Sequence, residues 1–95
     1  MQIKDKPIID NRAARRFELH TERHVAWLDY ERGKGTLDIL HTDVPSVLSG
    51  QGIGTALVRH AIKVAREEHR TLLSHCSFST VYMQKHGLLP AARGG

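Results

Sequence analysis

The stretch 41–56, HTDVPSVLSGQGIGTA, constrains this chain more than any other. Gly50, Gly52 and Gly54 alternate with Gln51 and Ile53, and an amphipathic run follows at once. Glycine lets backbone approach a ligand closely and permits positive φ. A helix N-terminus presents unpaired N–H groups at the positive end of a dipole. A strand end, a loop bearing Pro45, a glycine cluster and a helix start, in that order, make an anion site, most often for phosphate. Two familiar phosphate loops are excluded. A P-loop ends in Gly-Lys-Ser/Thr, whereas Thr55 follows Gly54 directly. A dinucleotide fingerprint, G-x-G-x-x-G, would need glycine at Thr55 and an acidic residue about 20 positions on, where 71–80 reads TLLSHCSFST. The loop is therefore expected to hold a phosphorylated cofactor of another kind.

The rest of the chain supplies the frame. Residues 14–20 read as a strand with Phe17 and Leu19 on its apolar side, and 24–30 as a second, with Ala26, Leu28 and Tyr30 alternating against Val25, Trp27 and Asp29. Residues 31–35 are a hairpin loop. A third strand, 36–43, sets Leu37, Ile39 and His41 on one face and Asp38, Leu40 and Thr42 on the other. Three such strands make an antiparallel meander. A helix is expected from Gly54 or Thr55 to His69, with Ile53, Leu57, Ala61, Val64 and Ala65 as its apolar stripe, widened by Val58 and Ile62. A short buried strand over 71–76 and a second helix over 79–86, ended by Gly87, complete the order β-β-β-α-β-α. Leu88 and Leu89 are expected to pack back on the core. The class is α/β (α+β), and the last strand lies parallel to the third through a right-handed crossover. If those two strands splay at their C-terminal ends, a cleft opens beside the glycine loop, where ligands of open α/β sheets bind.

Ninety-five residues support a single domain, placed at 8–89, with flexible ends at 1–7 and 90–95. No apolar run reaches the about 20 residues of a membrane span, and MQIKDKPIID carries no signal-peptide core. The expectation is a cytoplasmic protein. One cysteine excludes an internal disulfide and a cysteine-rich zinc site, and no metal is expected. The net charge of +4 is spread over scattered cations without a run of five, so nucleic acid is not the expected partner; an anionic cofactor accounts for the charge equally well.

The string LSGQGIGTALV resembles the pyrophosphate-binding segment of the GNAT superfamily of acyl-CoA-dependent N-acetyltransferases, Arg/Gln-x-x-Gly-x-Gly/Ala. Gly52 and Gly54 fall on its two small positions, while Ser49 stands at the first. Followed by a strand ending in Cys76, the longer string HTDVPSVLSGQGIGTALV resembles the minimal, single-domain GNAT-like subfamily, over about residues 8–88. The resemblance implies acetyl-CoA as co-substrate, its pantetheine arm wedged between the parted strands, and an amine acceptor, small molecule or protein. The expected cofactor contacts are Val44, Ser49, Gly50, Gln51, Gly52, Ile53, Gly54 and Thr55, with Tyr82 and Lys85 on the last helix. Tyr82 is a contacting residue rather than an acid, because the superfamily's Tyr-x-x-x-Gly spacing is one residue short of Gly87.

His41 ends the third strand and Cys76 the fourth, so neighbouring strand ends bring both to the cleft. An imidazole moves protons near neutrality; a thiolate can attack a thioester. In direct transfer an amine attacks the acetyl carbonyl while His41 takes its proton. In the two-step alternative Cys76 is acylated first. A module that binds CoA without turnover is a further alternative. So short a chain leaves little surface for an acceptor pocket, and a homodimer partner or a protein substrate is expected to complete it.

Overall fold

A computed structural model describes residues 6–88. The expected loose ends at 1–5 and 90–95, and the packing of Leu89, lie outside them. Five strands, β1 (Ile9–Asn11), β2 (Arg16–His20), β3 (Val25–Gly33), β4 (Thr36–Asp43) and β5 (Thr71–Ser74), form one sheet in that order. Helix α1 (Ile53–Glu67) joins β4 to β5, and α2 (Ser77–Lys85) follows. The meander β2-β3-β4 is antiparallel, and β5 runs parallel to β4, as the alternation of periods implies. Strand β1 has no counterpart in the sequence reading. The β3–β4 loop is also shorter than expected: Gly33 pairs with Thr36, leaving only Lys34 and Gly35, and Gly35 takes the positive φ that so tight a hairpin demands.

One face of the sheet carries the core. Phe17, Leu19, Ala26, Leu28, Leu37 and Ile39 meet Ile53, Leu57, Val58, Ala61, Ile62, Val64 and Ala65 of α1 and Met83 of α2. All seven apolar positions assigned to α1 are buried. Both helices end in Schellman geometry. In α1 the N–H of His69 bonds to the Arg66 carbonyl and that of Arg70 to the Ala65 carbonyl, with His69 at φ 56°. This turn stops α1 two residues before the expected His69. In α2 Gly87 fills the same left-handed position at φ 65°, as its placement after His86 suggests, and Leu88 folds back against the core. That helix starts at Ser77, two residues early, and β5 ends at Ser74, so Cys76 caps α2 instead of ending a strand.

Among the described residues no helix covers the opposite face, which is closed by polar bonds. Glu18 is buried there, accepting from Asn11, Arg16 and His20, and the Arg16 guanidinium lies over the Trp27 ring. Burial of an ionised carboxylate is tolerable because every oxygen has a donor. The His20 bond, followed by that of Arg16, outweighs burial and holds the Glu18 carboxyl down at about 2.

A bulge in β4 decides which face each later residue occupies. Asp29 pairs with His41 and Tyr30 with Ile39, so Leu40 is an extra residue on β4. One extra residue reverses the alternation. His41 therefore leaves the face of Leu37 and Ile39, against expectation, and Thr42 turns inward opposite Leu28. The pairing of β4 with β5 stops at Ile39 and Ser74, whereas β4 continues to Asp43 against β3 alone. The two parallel strands part at their C-terminal ends, and the gap opens beside the bulge.

Candidate functional site

The loop after β4 turns through a short 3-10 segment, Ser46–Leu48, whose Leu48 is buried. It then reaches the glycines. Gly50 and Gly52 stand at φ 80° and 77°, conformations that a side chain rarely tolerates. Gly52 is the N-cap of α1, which therefore begins at Ile53, one or two residues before the expected start at Gly54 or Thr55. With no side chain at the cap and no acidic residue in the first turn, the leading N–H groups of α1 have no local acceptor. Gly54 answers a different demand: a Cβ there would lie 3.1 Å from the Phe78 ring. Each glycine thus lets backbone or ring sit where a larger residue could not.

These elements enclose a cavity of about 370 Å³ lined by Thr42, Val44, Leu48, Ser49, Gly50, Gly52, Ile53, Gly54, Thr55 and Phe78. Seven of the ten residues expected at the cofactor line it. Gln51 is exposed and outside it. Tyr82 stacks on His86, ring centroids 4.3 Å apart, and lines a second groove; Lys85 lines neither space. Thr42, Leu48 and Phe78 were not expected there. Thr42 reaches the cavity only because of the bulge, which no local pattern encodes. A run of Ser-Phe-Ser at the start of a helix also gives no hint that its ring will roof a loop more than 20 residues away.

Below the cavity, at the N-terminus of α2, Cys76 is buried, its Sγ 3.5 Å from the Thr42 hydroxyl. The Ser79 hydroxyl donates to the Cys76 carbonyl at 3.1 Å, and Ser74 lies within hydrogen-bond distance of both Ser79 and Thr80. Burial pushes the Cys76 thiol up. The N–H groups of Ser79 and Phe78 and the hydroxyls of Thr42 and Ser79 together outweigh it and bring the thiol below its ordinary value. Helix N-termini favour thiolate for the same reason.

His41 is elsewhere. Its side chain is 62% exposed on the open face, opposite Asp29, with Nε2 3.9 Å from Asp43. The structure does not bring His41 and Cys76 together: they flank the β4–β5 gap from opposite faces of the sheet. The second groove, about 810 Å³, runs along α1 past Arg59, Lys63 and Arg66 and shares Gly52 and Thr55 with the smaller cavity.

A cavity on a glycine-led helix start, beside two parallel strands that part, is the arrangement the sequence resemblance implied. A family model for GCN5-related N-acetyl-transferases matches residues 16–89 of the 95. The chain belongs to that family. As a GCN5-related N-acetyltransferase homologue it falls among proteins of general acyl-CoA-dependent acetyl transfer, and its mixed α/β architecture of one five-stranded sheet and two helices agrees. Among the described residues no helix is long and apolar enough to cross a membrane.

Proposed function

We propose that this protein transfers an acetyl group from acetyl-CoA to an amine by direct attack, with His41 as base. The observation that carries the reading is the meeting of the glycine-lined cavity with the gap between β4 and β5. The pyrophosphate would take the N–H groups at Gly50–Thr55. The pantetheine arm would run past Val44, Leu48 and Phe78 toward the gap. Beyond Ile39 the edge of β4 that faces β5 has no ladder partner, so its backbone offers donors to the thioester carbonyl. The amine would arrive from the open face, where Asp29 and Asp43 beside His41 suit a cationic acceptor. Nitrogen bonds to the carbonyl carbon, the C–S bond breaks, His41 takes the amine proton directly or through water, and CoA leaves as thiolate to be protonated by solvent.

The lowered Cys76 thiol favours a second reading. Its thiolate would attack the thioester, releasing CoA and leaving an acyl-Cys76 that the amine then cleaves. Single-turnover kinetics with a panel of amines separates the two. Direct transfer predicts that His41→Ala lowers turnover about 100-fold or more while acetyl-CoA affinity stays, and that Cys76→Ala retains most activity. An acetylated Cys76 intermediate, trapped before the amine is added and absent from an inactive Cys76→Ala, would overturn direct transfer. Tight binding without turnover on any amine would leave a CoA-binding module.

A further inference from the structure

We infer that His75, oriented by Asp38, is a second proton acceptor in the reaction and strips the ammonium form of the acceptor before the amine attacks. The inference rests on the acetyl-transfer reading above. An alkylamine is a cation near neutrality, since a lysine amine ordinarily titrates at about 10.4. It must lose two protons to become an amide, one before its lone pair can attack and one afterwards. His41 accounts for the second.

His75 stands where the first has to leave. Its N–H bonds to the Ile39 carbonyl at 2.8 Å, one step past the last paired rung, Ile39 with Ser74. The gap between β4 and β5 opens from there, beside the bulge at Leu40. Asp38 alternates with the buried Leu37 and Ile39, so its carboxylate lies on the open face. The His75 ring follows it, with Nδ1 2.9 and 2.8 Å from the two carboxylate oxygens. His75 and His41 thus border the gap from one face, one on each strand. Cys76, the next residue, turns the other way, to Thr42.

The carboxylate takes the Nδ1–H bond, which fixes the tautomer and leaves Nε2 as a bare acceptor. His41 has no such anchor: its Nε2 is 3.9 Å from Asp43, beyond hydrogen-bond reach. The Asp38 side chain is 18% exposed and that of His75 72%, so the anchor is held while the ring stays open to substrate and solvent. The other charges facing the pair are acidic. Glu31 stands opposite Asp38 on β3, and Asp29 and Asp43 lie past the bulge. Helix α2, which starts two residues on, carries no charged residue before Lys85, and among the described residues no Lys or Arg pairs with Asp38. Such surroundings favour both an ammonium guest and the imidazolium that forms. Nε2 of His75 takes one ammonium proton and leaves the N–H electron pair on nitrogen. That pair bonds to the thioester carbonyl carbon, His41 takes the second proton, and the C–S bond breaks with its electrons on sulfur. Both imidazoliums return their protons to solvent and the thiolate takes one back, so each turnover releases one proton.

Single-turnover rates from about pH 6 to about pH 10, with benzylamine, tyramine and Nα-acetyl-lysine amide as alkylamine probes, test this on the parent and on His75→Gln, whose amide still donates to Asp38. His75→Gln is expected to lose about 100-fold at about pH 7. The loss should shrink as pH rises toward the amine's own range, where solvent has already removed the first proton. Asp38→Asn should show a smaller loss with the same pH trend, and added imidazole should restore a His75→Ala variant. His41→Ala, by contrast, should lose rate at every pH. An unchanged rate in His75→Gln, or a loss of equal size at every pH, would overturn the role of His75 and leave the acetyl-transfer reading standing. No turnover by the parent on these or any other amine would overturn that reading, and this inference with it.

Discussion

The two ends of α1 are built to opposite rules. Just past its C-terminal end, the charges around Glu68 answer one another. Arg32 bonds to Glu68 through Nε and Nη2 at 2.9 and 2.8 Å, and to Asp10 at 2.9 Å; Arg70 bonds to Glu68 at 2.7 Å; Tyr30 bonds to Asp10. This lattice fastens the helix to β3 and ties down β1, whose three residues, Ile9–Asn11, could not hold an edge by propensity alone. Burial, then the Asp10 bond, push the Tyr30 hydroxyl up to about 12, so it remains a donor throughout the working range. At its N-terminal end the helix has a glycine for a cap, no side-chain cap bond and no first-turn acid. Polar groups left unanswered by the protein are available to a ligand. The difference separates what holds this fold from what the fold presents.

The largest effect that would break the comparison is at the closed end. Arg32→Ala leaves two carboxylates facing each other in a half-buried site and should cost about 2–3 kcal/mol of stability. Urea unfolding would read this as a lower midpoint at unchanged slope, with CoA affinity in the folded protein unaltered. A loss of affinity matching the loss of stability would mean that the two ends are not separate.

Acid should act on the same end. The Arg32 and Arg70 bonds hold the Glu68 carboxyl down at about 2 in the folded protein, against an ordinary value of 4.5. Glu18 behaves alike on the open face. Below about pH 4.5 the unfolded chain therefore takes up protons that the folded chain refuses, and stability falls as pH drops from there toward 2. Above that window neither group changes stability. Glu68→Gln should flatten the acid side of a stability-versus-pH curve; a curve as steep as the parent's would remove Glu68 from the account.

The smallest effect is at the open end. Gly54→Ala adds a methyl against the exposed ring of Phe78 while improving helix propensity, so stability should stay within about 1 kcal/mol. The displaced ring narrows the cavity, and acetyl-CoA affinity should fall several-fold. An unchanged affinity in thermal-shift or calorimetric titration would mean that Phe78 does not border the occupied space.

The same contrast explains what could be read from the residues alone. The glycine loop was legible because its signals are local: spacing, a missing lysine, an amphipathic run. So were the meander, the parallel last strand and the stripe of α1, each a periodicity over a few residues. The bulge at Leu40 was not, because it arises from pairing with β3, and it moved His41 to the open face and Thr42 to Cys76. Strand β1 was hidden in a polar stretch and exists through contacts with residues as far away as Arg32. The start of α2 was displaced because Ser77 and Phe78 carry no helix signal stronger than the hydroxyl network around Cys76. Side-chain partners distant in sequence escaped, including the lattice that joins Arg32 to Glu68.

The measurement that bears most directly on the open end as an acyl-CoA site is calorimetric titration of acetyl-CoA into the parent and into a Gly52→Asp/Gly54→Asp variant. Micromolar binding to the parent is expected and none to the variant, whose carboxylates would meet the pyrophosphate at the helix start. No binding to the parent, or equal binding to both, would contradict it.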